Sequence, residues 1–139
     1  MSAPPDVEQF RAFFETSPTW QHFGQRLVSV ESGRSRLAMS LEPFRNVLGT
    51  THGGVLAILM DSAMAVAARA RLGLDTLVYT IEFKVTFVAP APPEEVFGDG
   101  SLVHAGSRIA FAESRVTDAS GRLLALSVGT FGIGRSGDA

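Results

Sequence analysis

One segment, Gly53–Leu72, limits what this chain of 139 residues can fold into more than any other feature. From Gly53 to Ala68 the only charged residue is Asp61, and Ala, Leu and Met predominate, which favours a helix. A helix that is apolar on every face is either buried in a protein or spans a membrane. Crossing a bilayer takes roughly 20 apolar residues, and sixteen residues interrupted by a carboxylate fall short of that length. The segment is therefore predicted to be a long helix buried in a protein core.

The rest of the chain predicts mainly β-strands. Leu77–Phe87 alternates apolar and polar residues with period two, the pattern of a strand with one buried face. Pro43–Thr51 is predicted to be a loop that leads into the central helix. Other strands are expected in shorter segments between turns rich in Gly, Ser, Pro and Asp: Leu27–Glu31, Arg34–Leu41, Val96–Ala105, Arg108–Asp118 and Arg122–Ile133.

The N-terminal segment has the pattern of a short amphipathic helix. Ser17-Pro18 is expected to end this helix, and residues 20–24, with Trp20 and Phe23, are assigned to a connecting stretch. A signal peptide needs a basic start and an apolar run, and this acidic start has neither. The apolar residues of the helix recur at helical spacing after Pro4-Pro5-Asp6: Val7, Phe10, Phe13 and Phe14.

The order of the predicted elements is a helix, two strands, one long helix and four strands. This order predicts an α+β fold in which an antiparallel sheet wraps around one long buried helix, and the length predicts a single domain over residues 1–139. One face of such a sheet packs on the helix, while its other face and its edges stay open. A homo-oligomer is therefore expected.

The composition excludes several classes of function. The net charge is −2 with no run of like charges, so binding to nucleic acid has no electrostatic support. The chain has no cysteine, which excludes disulfides, thiolate metal sites and cysteine nucleophiles, and which is compatible with a cytoplasmic location. Neither a membrane association nor a metal site is predicted.

Asp61 is the first candidate for chemistry. A carboxylate in the middle of an apolar helix costs free energy unless it is paired or serves a function, and buried acids of this kind are candidates for catalysis. The alternative is that Asp61 lies at a subunit interface and only accepts hydrogen bonds. The residue pattern alone leaves both interpretations open.

His52-Gly53-Gly54, at the start of the same helix, is the second candidate. The first helical turn has free backbone N–H groups at the positive end of the helix dipole, and glycines let a ligand approach closely. Such a turn can act as an oxyanion hole for a polarised carbonyl; the alternative is an ordinary loop-to-helix turn. Asp61 follows Gly53 by eight residues, roughly 12 Å along a helix. Both can act on one carbonyl only if they come from different subunits.

The spacing of four elements resembles that of the PaaI-type thioesterases, named for phenylacetate degradation, of the hotdog superfamily. These elements are Asn46, His52-Gly53-Gly54, Asp61-Ser62-Ala63, and Thr80, which lies two residues before Glu82. The likeness extends from about Trp20 to Phe131, and the combined spacing is what makes it specific. The resemblance implies the hotdog fold and hydrolysis of an acyl- or aryl-CoA thioester to the free acid and CoA. No cofactor is implied, because CoA is part of the substrate.

The resemblance also implies a role for each matching residue. The Gly53 N–H would polarise the thioester carbonyl, and Asp61 of the other subunit would act as general base or nucleophile. His52 and Asn46 would shape the pocket beside Gly53, and Thr80 would hold the attacking water. The minimal active unit would be a homodimer, and a dimer of dimers, a homotetramer, is the expected assembly. A non-catalytic acyl-CoA binding or sensing protein of the same fold is the alternative.

Further residues are expected to contact the substrate. Gly54 and Phe87 are assigned to substrate binding beside the helix start, and the charged part of CoA needs cationic partners at the rim of the pocket. The candidates for these partners are His104 and Arg108, with Arg45 and Arg135 as additional candidates.

Overall fold

A six-stranded antiparallel sheet and one long helix form the body of the protein in the computed structural model, which describes residues 3–134. The strand order is β1-β2-β4-β5-β6-β3, so β3 lies at one edge of the sheet and β1 at the other. The helices are α1 (Val7–Phe14), α2 (Pro18–Phe23) and α3 (Gly53–Leu72), with a 3₁₀ turn at Glu42–Phe44. The strands are β1 (Arg26–Glu31), β2 (Arg34–Ser40), β3 (Leu77–Phe87), β4 (Glu95–Ala105), β5 (Ile109–Asp118) and β6 (Leu123–Gly134).

The predicted fold class is confirmed, because neighbouring strands are antiparallel and the sheet packs on α3. The predicted helices α1 and α3 are present, and the bounds of each predicted strand shift by no more than one residue. Within residues 3–134, none of the helices is both long and apolar enough to cross a bilayer.

The stretch from Ser17 to Gly24 differs from the prediction, because it forms the second helix, α2, rather than a connection. The Trp20 N–H donates to the Ser17 hydroxyl (3.4 Å), Pro18 occupies the first turn, and Gly24 ends the helix with a left-handed φ of 67°. A serine followed by a proline marks a helix start as well as a helix end, so the local pattern is ambiguous. The helix buries Trp20 against Phe14 of α1, with ring centroids 5.3 Å apart.

Close packing on the sheet fixes the middle turn of α3. A Cβ atom on Gly100 of β4 would overlap the Ala63 carbonyl oxygen, so glycine is required for the helix to come this close. The Ser35 hydroxyl donates to the same carbonyl (2.7 Å), and the Ser114 hydroxyl donates to the Met60 carbonyl (3.3 Å). These contacts hold the helix against β2, β4 and β5 on both sides of position 61.

The helix α3 is buried on its sheet side but not all round. Side chains toward the sheet, such as Leu59 and Ala63, are fully buried. A neighbouring stripe of the helix remains half-exposed, and it consists of Ile58, Asp61, Ser62 and Ala65. Residues 3–134 thus bury α3 only in part, whereas its apolar composition predicts burial on every face.

A bulge in β3 changes which of its side chains face α3. Thr80 and Glu82 pair with the successive β6 residues Phe131 and Thr130, so Ile81 is an extra residue in the strand. Thr80 faces the helix before the bulge, and the odd-numbered side chains face the core after it. The uninterrupted alternation predicted for this strand is therefore wrong, because a bulge re-aims the side chains around it.

Candidate active site

Asp61 and Thr80 form the polar centre of the site. Asp61 lies in the middle of α3 on its half-exposed stripe, and Thr80 faces it from β3. The Thr80 hydroxyl donates a hydrogen bond to Asp61 Oδ1 at 2.7 Å. Within residues 3–134, no donor lies within hydrogen-bond distance of the other carboxylate oxygen, Oδ2. One oxygen therefore orients the carboxyl, and the other is open to a reactant.

Burial raises the pKa of the Asp61 carboxyl above its ordinary value, and the hydrogen bond from Thr80 lowers this pKa by a smaller amount. Because the apolar helix desolvates the charged form, the group keeps its proton to higher pH than a surface aspartate does. An acid whose pKa moves toward the working pH is suited to proton transfer. The pair can thus take a proton from water, or attack a carbonyl, through Oδ2.

The start of α3 presents one free backbone donor. His52 caps the helix, because its Nδ1 accepts from the Gly54 N–H at 3.1 Å and its carbonyl accepts from the Val55 N–H at 3.0 Å. Among the described residues, no acceptor lies within hydrogen-bond distance of the Gly53 N–H. The Gly54 donor is already used, so Gly53 is the donor available to a carbonyl oxygen at the positive end of the helix.

Phe87 lies over this helix start. A Cβ atom on Gly53 would lie 2.9 Å from Phe87 Cζ, so a larger residue would require this exposed ring to shift. Both residues line a cavity of about 350 Å³ with mainly apolar walls. Its volume and lining suit an apolar acyl group. The lining residues are Thr51, Gly53, Leu56, Phe87, Val88, Ala89, Pro90 and Ala91.

Asn46 organises the loop before α3. Its Oδ1 accepts hydrogen bonds from the Leu48 N–H (2.8 Å) and the Thr50 N–H (3.2 Å), and its Nδ2 donates to Thr50 Oγ1 (2.8 Å). Both ends of the side-chain amide form hydrogen bonds inside the loop. Asn46 therefore holds the loop in the conformation that leads into the start of α3. A contact between Asn46 and the substrate stays a prediction.

Two of the predicted cationic partners lie at the end of the sheet that holds Thr80, away from the start of α3. His104 at the end of β4 and Arg108 in the following turn are exposed. The strand register places the end of β4 in line with Thr80 across the sheet. Of the additional candidates, Arg45 is exposed beside the loop at residues 46–50, and Arg135 lies outside the described residues.

The predicted catalytic residues come together in two groups rather than in one. Asp61 and Thr80 form one group, and His52, Gly53 and Phe87 form the other. Gly53 and Asp61 lie on the continuous helix α3, eight residues apart, which corresponds to roughly 12 Å. A single carbonyl group therefore does not reach both groups within one chain.

Two parts of the cavity wall have no distinguishing sequence pattern. Thr51 and the segment at residues 88–91 line the cavity, although the pattern marks them only as the end of a loop and as a strand break. They meet because the Thr51 N–H donates to the Ala91 carbonyl at 3.1 Å. Forty residues separate Thr51 from Ala91, so no local pattern predicts this contact.

The sequence is similar to the thioesterase superfamily and to a known thioester hydrolase. The family model of the thioesterase superfamily matches residues 48–125, more than half of the chain. A 1,4-dihydroxy-2-naphthoyl-CoA hydrolase from Listeria monocytogenes serotype 1/2a (strain 10403S) is 27% identical over 105 residues, which cover 75% of this chain and 85% of that protein.

Solved structures share the architecture. A conserved protein from Pseudomonas aeruginosa superposes with a TM-score of 0.80 at 30% identity, over 84% of this chain and 94% of that chain. A mutant of the phenylacetic acid degradation protein PaaI from Thermus thermophilus superposes with a TM-score of 0.76 at 25% identity, over 84% of this chain and 98% of that chain.

Proposed function

Because the chain belongs to the thioesterase superfamily and is a thioester hydrolase, we propose that it hydrolyses an acyl-CoA or aryl-CoA thioester to the free acid and CoA. The resemblance to PaaI-type thioesterases is confirmed, and so is the prediction that the protein is a thioester hydrolase. The observation that carries the proposal is Asp61, a half-buried carboxyl with a raised pKa and a hydroxyl partner on an otherwise apolar helix.

The proposed reaction needs an activated water and a stabilised oxyanion. In the general-base route, Asp61 Oδ2 takes a proton from water while the water oxygen bonds to the carbonyl carbon. The carbonyl oxygen becomes an oxyanion, which accepts a hydrogen bond from the Gly53 N–H. Its collapse breaks the C–S bond, and the CoA thiolate leaves and takes up the proton held by Asp61.

A second route uses Asp61 as the nucleophile. Its carboxylate attacks the carbonyl carbon, the CoA thiolate leaves, and water then hydrolyses the mixed anhydride to regenerate the carboxylate. Thr80 suits both routes, because its proton bonds to Asp61 and its oxygen can accept a hydrogen bond from water. Single turnover in isotopically labelled water separates the routes, since only the anhydride route can leave labelled oxygen in Asp61.

The two groups of the site are proposed to come from different subunits. The separation of Gly53 from Asp61 requires a second chain if both act on one carbonyl. Asp61 lies on the half-exposed stripe of α3, and β3 is an edge strand, so both are accessible to a second copy. The proposed minimal unit is a homodimer, and exposed apolar residues of the sheet, such as Phe111 and Val128, support further association to a homotetramer.

The acyl group and the CoA contacts are part of the same proposal. Relatives named for aromatic acids make aryl-CoA esters the first to test and fatty acyl-CoA esters the second. His104 and Arg108 are proposed to bind the CoA phosphates, because both are exposed at the end of the sheet that holds Thr80. The proposed enzyme uses no cofactor besides the CoA of its substrate and acts in the cytoplasm.

Release of free thiol from a panel of acyl- and aryl-CoA esters tests the function. We expect at least one ester to be cleaved well above the uncatalysed rate, with little activity left in an Asp61→Asn variant. In parallel, calorimetry measures the binding of the same esters to the variant. If the esters bind and none is cleaved by the wild-type protein, the chain is a binding or sensing protein and the proposal fails.

A further inference from the structure

Val47 and Leu48 form the tip of the loop at residues 46–50, which leads into α3. Val47 is 102% exposed and Leu48 is 85% exposed, while no other large apolar side chain among residues 3–134 exceeds 59%. Single apolar residues are common on protein surfaces, but exposed apolar groups that lie together often mark interaction sites. The tip is therefore a candidate surface for a partner.

The loop holds its shape through its own hydrogen bonds. The Asn46 side chain accepts from the Leu48 N–H (2.8 Å) and the Thr50 N–H (3.2 Å), and the Asn46 N–H donates to the Thr50 carbonyl (2.6 Å). Gly49 closes the turn with a positive φ of 84°, which favours glycine. Because none of these bonds involves the side chain of Val47 or Leu48, the loop keeps its shape while both apolar side chains remain exposed.

The proposed shared site, on which this inference rests, fixes where a second copy lies. In a two-fold homodimer, Gly53 lies beside the partner's Asp61, and Asp61 lies beside the partner's Gly53. Both contacts exist together only if the two α3 helices lie side by side and roughly antiparallel, because Gly53 and Asp61 belong to one continuous helix. The residues that precede Gly53 then lie toward the part of the partner's α3 that follows its Asp61.

The loop tip is within reach of that part of the partner. Leu48 precedes Gly53 by five residues, so the two lie at most roughly 18 Å apart. In the two helical turns after Asp61, the half-exposed residues of α3 are Ser62 and Ala65, which are uncharged like the loop itself. Apolar side chains can therefore pack there without burying an unpaired charge.

We propose that Val47 and Leu48 pack against α3 of the partner subunit, on the half-exposed face around its Ala65. One chain then supplies the loop and the Gly53 N–H to each site, and the partner supplies the Asp61 carboxyl. The loop forms one wall of the shared site, so the contact that stabilises the dimer also completes the pocket. Burial of the two side chains favours association because it removes apolar surface from water.

Two introduced thiols test the contact, because the chain contains no cysteine of its own. In Leu48→Cys/Ala65→Cys, a mild oxidant should link the chains into covalent dimers, which a non-reducing gel separates from monomers. A disulfide requires Cα atoms within about 7 Å, so it reports a close contact. The control is Leu48→Cys/Val28→Cys, whose second thiol lies on β1 at the opposite edge of the sheet from β3 and should give little covalent dimer.

The accessibility of a single thiol gives a second measurement. Within one chain, Leu48 is more exposed than Val28 (85% against 40%), so Leu48→Cys would react faster with a water-soluble thiol reagent than Val28→Cys. Burial at the subunit contact should reverse this order, with Leu48→Cys slower by about tenfold or more. In urea the two variants should react at the same rate, because both are then unfolded.

The stability of the dimer gives a third measurement. Leu48→Ser should raise the dissociation constant of the dimer about tenfold or more, because the variant loses the burial of a leucine side chain in each of two contacts. Sedimentation equilibrium measures this constant. Val28→Ser, the matched change on β1, should leave it unchanged.

A covalent dimer no more abundant than in the control pair, fast labelling at position 48, or an unchanged dissociation constant in Leu48→Ser overturns the inference. A disulfide within one chain would show that the loop folds onto its own helix. Protection that appears only after a CoA ester is added would assign the loop to the substrate, and both of these results also contradict a subunit contact. None of the measurements uses hydrolysis, so a protein that cleaves no thioester fails the proposed function alone.

Discussion

Thr80 on the edge strand β3 donates a hydrogen bond of 2.7 Å to Asp61 in the middle of the central helix. The contact depends on the bulge at Ile81, because a shift of one residue in a strand moves each side chain to the other face. The bond orients one carboxylate oxygen and lowers the pKa of Asp61 against the larger effect of burial. The bulge thus places the Thr80 hydroxyl where it orients the proposed base and partly offsets the effect of burial on its pKa.

Replacing Asp61 with Asn is expected to remove most of the activity while preserving the shape of the site. The asparagine oxygen can still accept the Thr80 hydrogen bond, but it can neither take a proton nor attack as a carboxylate. Loss of a general base typically lowers kcat by about 10²–10⁴-fold, which thiol release from the best ester measures. Asp75→Asn, the same change at an exposed position, should keep the wild-type rate. A near-normal rate in Asp61→Asn would exclude Asp61 as base and as nucleophile.

The same Asp61→Asn variant is expected to be more stable than the wild type near neutral pH. Because burial raises the pKa of Asp61 in the folded state, the unfolded chain releases this proton first as the pH rises, which penalises the folded wild type. Below the ordinary aspartate pKa the group is neutral in both states and the penalty disappears. Urea unfolding over a series of pH values should show the gain in unfolding free energy growing with pH. A gain that is absent at neutral pH, or that shrinks as the pH rises, would contradict the raised pKa.

Removing the Thr80 hydroxyl is expected to move the acid side of the pH–rate profile to higher pH. The Thr80 hydrogen bond lowers the pKa of Asp61, so its loss in Thr80→Val lets burial raise this pKa further. The profile of kcat/KM for thiol release measures the shift, and Thr80→Ser should restore the wild-type position. A Thr80→Val profile that keeps its midpoint would show that the hydroxyl does not act on the proposed base.

Two substitutions of Gly53 separate its N–H donor from its small size. Gly53→Pro removes the N–H at a helix position that proline favours, and His52 already has the extended backbone that precedes proline (φ −62°, ψ 125°). Gly53→Ala keeps the N–H while placing a Cβ atom against Phe87, as proline also does. Loss of an oxyanion donor costs about 10²–10³-fold in kcat, so the proline variant should be slower than the alanine variant by about that factor. Equal rates would exclude the Gly53 N–H as the donor.

The central helix and the strands could be predicted because their patterns are local. An uninterrupted run of Ala, Leu and Met around Asp61 is sufficient to predict α3. The helix α2 escaped prediction because Ser17-Pro18 is compatible both with ending one helix and with starting the next. The bulge at Ile81 escaped prediction because pairing with β6, rather than the composition of β3, creates the extra residue.

The site could be predicted where its residues stand out against their neighbours. Asp61 is unusual within an apolar helix, and Gly53 is recognisable beside His52 at the helix start. The contact between Thr80 and Asp61 could not be decided, because alternation does not say which strand face meets the helix. Thr51 had no pattern to mark it, since its place in the cavity depends on a contact with Ala91, forty residues away.

Mixed dimers of two inactive variants, Asp61→Asn and Gly53→Pro, test the shared site most directly. A mixed dimer joins the intact Gly53 of one chain to the intact Asp61 of the other, so one of its two sites is complete. If the two chains are refolded together in equal amounts and pair at random, about half of the dimers are mixed, and thiol release should reach about a quarter of the wild-type rate. Activity no higher than that of the separate variants would contradict a site shared between subunits.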